Sequence, residues 1–157
     1  LLDIGVKVLE DTHDTIERDG HIIYIIGIDD PSKVHGGNWH MQEWEVTRKS
    51  IEKAMDGIFP DNHLKILLAH RPEKLTLYGE YNIDLVFAGH AHGGQIRLPF
   101  IGGVVAPNQG FFPKYTSGQH RYKDSTMVIG RGLGNSIVPQ RLFNRPEVVT
   151  VTLKNKR

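Results

Sequence analysis

Cysteine is absent from this 157-residue chain. That excludes a disulfide framework and thiolate metal ligands, so any bound metal has to be held by nitrogen and oxygen. Long apolar runs are lacking as well. The longest, "IIYII" and "ILLA", fall far short of the roughly 18 residues of a membrane span, and the chain as given reads as soluble. The opening "LLDIGVKVLED" lacks Met and has none of the charged, apolar and small-residue succession of a signal peptide, which leads us to expect a piece of a longer protein. Charge is not in excess: 19 basic and 18 acidic residues leave +1, no block of like charge stands out, and no nucleic-acid groove is evident. Repeats, low-complexity tracts and obvious linkers are missing. The length suffices for one compact core and is too short for two ordinary domains. No Ser or Cys sits in a recognisable nucleophile setting, so covalent acyl or thioester hydrolysis has no support.

What is present reads as an α/β chain. "VKVLED" is expected to be a short strand and "HIIYIIGI" (21–28) a better one, with the polar "THDTIERDG" between them ending on the Asp-Gly of a hairpin. From Trp44 to Ile58, Trp44, Ile51, Ala54, Met55 and Ile58 recur at the spacings of an amphipathic helix, and this stripe should be core. "LKILLAH" (64–70) and "IDLVFAGH" (83–90) look like strands buried on both faces, joined by a helix in "RPEKLTLYGEY". Strand, helix, strand in that order predicts parallel neighbours. Gly93 to about His120, rich in Gly and Pro, reads as a long loop with a strand only in "QIRLP". "STMVIGRG" and the alternating "EVVTVTLK" are expected to close the chain as strands.

Nine histidines need sorting. His13, His21, His35, His40, His63 and His120 lie in polar or turn-like surroundings and read as solvated side chains. His70, His90 and His92 differ: each stands at the carboxyl end of an expected buried strand, where open α/β sheets keep their ligand crevices. His90 and His92, two residues apart, would share a face if extended, with Cα atoms about 6.5 Å apart. Gly89, Gly93 and Gly94 clear room around them. Any one of these histidines alone reads as a strand-end residue bonded to a loop carbonyl; three at matching strand ends favour a metal.

Those motifs carry a resemblance. "LLAHRPE" followed by "DLVFAGHAHGGQIRLP" resembles the last two metal motifs of the calcineurin-like metallophosphoesterases. The trailing "GGQIRLP" and "GRGLGNSIVPQRLFNRPEVVTVTL" are similar to the bacterial membrane-associated or exported subgroup related to UDP-diacylglucosamine hydrolases. The resemblance, from about Val6 to Leu153, implies part of a two-sheet α/β/β/α sandwich. It also implies a dinuclear site of manganese, iron or zinc in which His70 and His90 bind one ion and His92 the other. The family completes that site with DxH, GDxxD and GNH motifs that this chain lacks. Residues 1–157 are therefore expected to be the carboxyl-terminal portion of one metallophosphoesterase domain.

The full protein is then expected to hydrolyse a phosphomonoester, phosphodiester or pyrophosphate with a metal-bound hydroxide, at a membrane or outside a bacterial cell. Two dications that close need an anionic bridge. Three neutral histidines supply none, so the chain alone should hold at most one ion, weakly, and turn over little. Asp84 belongs to the opposite sheet edge; Asp29 and Asp30, otherwise turn residues, are better placed to complete a mononuclear site. No catalytic or substrate-binding residue is assigned. Phe100, Phe111, Phe112 and Tyr115 either bury against the sheet or suit a substrate with an acyl or nucleobase portion. "GRGLGN" (130–135) reads as a glycine-rich turn, and Arg141 and Arg145 as surface residues. The alternative is a non-enzymatic, metal-stabilised scaffold or association module, and uncovered sheet edges make self-association a natural expectation.

Overall fold

In the computed structural model, residues 2–33, 39–59, 62–134 and 140–154 are described. The chain opens with a hairpin of β1 (Thr12–Arg18) and β2 (His21–Gly27), paired from Arg18↔His21 to Thr12↔Gly27. Asp19 and Gly20 at its turn have φ of 53° and 74°, the left-handed pair that a two-residue turn matched to strand twist requires. The Asp-Gly signal is thus real, but its first strand is the polar "THDTIER". Residues 6–9 of "VKVLED" carry no regular structure. As an edge strand, β1 needs no apolar alternation, and its Asp14, Glu17 and Arg18 blunt the edge with charge.

Helix α1 spans Trp39–Ala54, beginning earlier and ending earlier than its apolar spacing predicts. Its buried stripe is Glu43, Thr47, Ser50, Ile51 and Ala54, polar at the front, so apolar periodicity marks only its rear. Trp44, expected in the core, is exposed instead and lies 4.3 Å from Lys74 Nζ. Strand β3 (Leu64–Leu68) leads through a 3-10 turn at Pro72–Lys74 into α2 (Leu75–Glu80) and then β4 (Leu85–Ala88). The segment expected to be one loop holds two ribbons, β5 (Arg97–Leu98) with β6 (Gly102–Gly103) and β7 (Val105–Ala106) with β8 (Gly110–Phe111). β9 (Gly118–Tyr122) and β10 (Ser125–Ile129) follow.

One sheet in the order β1-β2-β3-β4-β10-β9 organises these elements. β2, β3, β4 and β10 are mutually parallel, and the two edge strands run antiparallel. The register aligns Ile26, Leu67, Val86 and Met127 in one row, each fully buried. Ile51 and Ala54 of α1 and Leu75, Leu77 and Tyr78 of α2 belong to the same core cluster. On the next row, Leu68 is exposed and Phe87 and Val128 half-buried, as the two-residue side-chain period demands of a sheet covered unequally on its faces. "EVVTVTLK" does not form a strand: residues 147–154 have no regular structure. Its alternation is present, but it forms no ladder with a described strand, although residues 151–154 line a cavity with residues of β1, β2 and β3.

Candidate metal centre

All four parallel strands end at one edge, and their last backbone bonds lock that edge. Ile28 N donates to Leu68 O, Ala69 N to Phe87 O, Gly89 N to His70 O and Gly130 N to Ala88 O. Asp30, His70, Arg71 and His90 therefore emerge side by side. His90 Nδ1 lies 2.8 Å from His70 Nε2. Two Zn–N bonds of about 2.0–2.1 Å at a tetrahedral angle separate their nitrogens by about 3.3 Å, so a small spread of the rings, with the proton between the two nitrogens released, turns this pair into a chelate. Among the described residues no group of three or more His, Cys, Asp or Glu is placed to hold a metal ion. The pair is a fitting fraction of a nitrogen and oxygen site, and the other donors are not in this group.

Arg71 organises the edge. Its Nε and Nη2 donate to the two oxygens of Asp30 at 2.8 and 2.9 Å, and its Nη1 lies 3.2 Å from His90 Nε2. A guanidinium can only donate. His90 Nε2 therefore accepts, its ring proton sits on Nδ1, and Nδ1 donates to His70 Nε2. Arg71 is buried, its carbonyl accepts from the hydroxyl of the fully buried Tyr78, and Glu73 and Glu43 lie 3.8 and 4.0 Å from Nη1. Burial pushes the Asp30 carboxyl up, but hydrogen bonds from Arg71 and Ser32 outweigh it and hold it below the usual carboxylate range. Burial, then the charges of Arg71 and His70, lower His90 to about 4. Burial also lowers His70, against the pull of Asp30. Both imidazoles are held neutral near pH 7, the state in which a nitrogen can ligate.

The expectation that His90 and His92 share a face of extended backbone is corrected. His90, His92, Gly93, Gly94 and Gln95 all have positive φ, and only Ala91 between them is right-handed. This coiled turn replaces the extended backbone and sends His90 to His70, with His92 near enough for its charge to act on both. His92 is held through its backbone, its carbonyl accepting from Asn144 Nδ2 at 2.6 Å. An added Cβ on Gly93 would overlap Asn144, and one on Gly94 would overlap the Gly103 backbone. The "GG" after the pair therefore serves close approach as well as φ.

Asp30, weighed as a metal ligand, is committed to Arg71 and to an Asx turn with Ser32 N. Asp29 pairs with Lys33 at 2.8 Å. Asp84 does lie at the opposite edge, accepting from Lys65 N at 2.8 Å. His13 is not merely solvated, since its Nδ1 lies 2.8 Å from Ala54 O. His35, the side chain of His40 and Asn135 of "GRGLGN" lie outside the described residues. Arg141 spends its guanidinium on the carbonyls of Arg131, Gly132 and Gly134. Tyr115 packs against the core, while Phe100, Phe111 and Phe112 are exposed. Arg71 and Asn144 escaped the sequence reading. Arg71 had a signal, standing next to His70 at a strand end parallel to the one that closes on Asp30. Asn144 had none, being 52 residues from its partner.

Comparison with known proteins bears on what this edge is for. The chain is 37% identical over 95 residues to the Bacillus subtilis protein named uncharacterized metallophosphoesterase YkuE, covering 60% of this chain and 32% of that one. It is 34% identical over 89 residues to the Escherichia coli phosphodiesterase YaeI, 57% of this chain and 32% of that one. Over 158 residues it is 30% identical to a Danio rerio transmembrane protein with metallophosphoesterase domain, 96% of this chain and 33% of that one. The chain belongs to the calcineurin-like metallophosphoesterase family. Its mixed sheet with few helices is an α/β fold of the metallophosphoesterase type. The chain spans about a third of YkuE and of the Danio rerio protein and about half of the Bacillus subtilis protein named uncharacterized metallophosphoesterase YkoQ. No protein-family model and no solved structure matches it. Among the described residues no helix is long and apolar enough to cross a membrane.

Proposed function

We propose that this chain is the carboxyl-terminal portion of a metal-dependent phosphohydrolase domain that cleaves a phosphomonoester, phosphodiester or pyrophosphate. The observation that carries this reading is the 2.8 Å approach of His70 Nε2 to His90 Nδ1 at paired ends of parallel strands. His70 and His90 would hold one divalent ion and His92 would contribute to a second. Manganese, iron or zinc suits such donors. Divalent ions at a two-metal site supply charge neutralisation of the transferring phosphoryl group and acidify bound water. The chain's own residues do the rest: Tyr78 pins the Arg71 backbone, Arg71 and Asp30 fix the strand ends, and the glycine turn sets His92 at its distance from the pair.

The remaining donors, including the bridging carboxylate, belong in this reading to an amino-terminal part bearing the three further motifs. This chain alone then holds at most one ion and has little or no activity. The substrate would carry a lipid or nucleotide portion. We also propose that the full protein works at a membrane or outside the cell, in line with relatives named transmembrane proteins. The Arg71 bond to His90, and the lack among described residues of a three-donor group, favour a second reading, a non-enzymatic scaffold.

Manganese-dependent hydrolysis of a chromogenic phosphodiester decides between them, measured on the amino-terminally completed protein, on its His92→Ala variant and on this chain alone. Turnover by the completed protein, lost in the variant and in the isolated chain, is the expected result. Full rate in the variant, or no rate in the completed protein with manganese, iron or zinc, would establish the scaffold.

A further inference from the structure

Consecutive residues His92, Gly93, Gly94 and Gln95 carry φ of 45°, 68°, 81° and 53°. His92 and Gln95 are not glycine, and L-residues reach that region only at a cost. Such a run cannot continue as a regular helix or strand, so its carbonyls need partners from elsewhere in the fold.

Asn144 supplies them. It is buried, and its Nδ2 donates to His92 O at 2.6 Å and to Gln95 O at 3.2 Å. The two hydrogens of one amide therefore bridge the two ends of the left-handed run. Chemistry fixes which way the amide points: its nitrogen meets two carbonyls, which can only accept, and its Oδ1 faces Arg141 Nη2, which can only donate, at 3.5 Å. The same side chain lies against the backbone of Gly93, where any Cβ would overlap it. Gly93 thus meets two needs, a positive φ and room for Asn144.

Asn144 is itself anchored on two sides. Arg141 donates to the carbonyls of Arg131, Gly132 and Gly134 beyond β10, and Leu142 bridges Ile96 and accepts from Arg97 N at the start of β5. The chain leaving β10 is in turn tied to β4, because Gly130 N donates to Ala88 O. These bonds close a ring that runs from the end of β4 through the histidine turn, Asn144, Arg141 and the end of β10 back to β4. His90 leaves the same end of β4, so the ring sets where His92 stands relative to His90.

We infer that Asn144 is a positioning residue for the second metal ion. By holding the carbonyls of His92 and Gln95 it keeps the His92 backbone at the one distance from His90 that lets the two histidines serve neighbouring ions. The inference rests on the metal reading of this edge. The ion on His70 and His90 does not depend on Asn144, since that pair is fixed by the strand-end bonds and by Arg71. Asn144 touches neither substrate nor metal in this account and acts through His92 alone.

The test is a manganese titration of the amino-terminally completed protein followed by electron paramagnetic resonance, which tells an isolated ion from a magnetically coupled pair. The parent is expected to take up two ions and to show the coupled spectrum. In Asn144→Ala the first ion should bind within about twofold of the parent while the second is weakened about tenfold or more, so the isolated-ion spectrum persists. Asn144→Ser, which keeps one donor, should fall between the two and serves if the alanine variant does not fold. In this chain alone and without metal, amide hydrogen exchange at Gly94 should quicken in the variant while Met127 in the sheet core is unchanged. Unchanged exchange at Gly94, an undiminished coupled spectrum in the variant, or equal weakening of both ions overturns the inference and leaves the metal reading standing. A parent that takes up fewer than two ions, or a His92→Ala variant that keeps the coupled pair, overturns the metal reading and this inference with it.

Discussion

Arg71 and Asp30 are the residues on which the candidate centre's geometry turns. Their side chains are 7% and 19% exposed, so Arg71→Ala strands a largely buried carboxylate and frees His90 Nε2. We expect a loss of about 3 kcal/mol in urea unfolding; less than about 1 kcal/mol would mean that the clasp behaves as a surface pair. A second prediction concerns acid. The folded, metal-free protein keeps His90 neutral down to about 4, whereas the unfolded chain takes up that proton near 6.5. The unfolded state thus binds more protons between those values, and stability falls as pH drops from 6.5 towards 4. Below the ordinary carboxyl value of 3.8, Asp30 adds to the loss, because its folded carboxyl resists protonation. A melting temperature that stays flat from pH 7 to 4 would contradict this. At this scale the sequence picked out His70, His90 and His92 through their position after apolar strands. It did not disclose which of them meet, because that depends on the sign of φ at His90 and His92, and residue types alone do not set it.

The turn from His90 to Gln95 is the element most dependent on glycine. Ala at Gly94 would combine a φ of 81° with overlap of the Gly103 backbone. We expect Gly94→Ala to cost about 2 kcal/mol or more and, in the completed protein, to displace His92 enough to reduce turnover while leaving the strands intact. Unchanged melting and activity together would show that the turn relaxes freely. The strands were legible where burial forced continuous apolar runs, as in β2, β3 and β4. They were misread at the edges. β1 is polar because one side of it faces water, and "EVVTVTLK" alternates like a strand without a partner to make it one. The ribbons β5 to β8 are two residues per strand, too short for any periodicity, and exist because Val104 links three segments.

The molecule as a whole leaves one sheet face thinly covered. A groove of about 380 Å³ there is lined by Leu9, Ile16, Ile25, Ile28 and Leu68, and the exposed Val151 and Leu153 of the tail line a second cavity with Ile16, Ile22 and Leu64. Apolar surface on that scale favours association. We expect light scattering of this chain to show concentration-dependent self-association, relieved when the amino-terminal part is present; a monodisperse monomer at high concentration would count against the reading of the chain as a portion of a larger domain. Sequence alone determined the α/β class, the parallel strand pair and the family, because buried strands need unbroken apolar runs and metal-bearing strand ends leave short, closely spaced motifs. Only the tertiary structure decided that His90 turns to face His70, that Arg71 already occupies Asp30, and that Asn144 reaches the His92 carbonyl. Each of those depends on backbone φ and on residues up to 52 positions apart meeting in space, which no local pattern encodes.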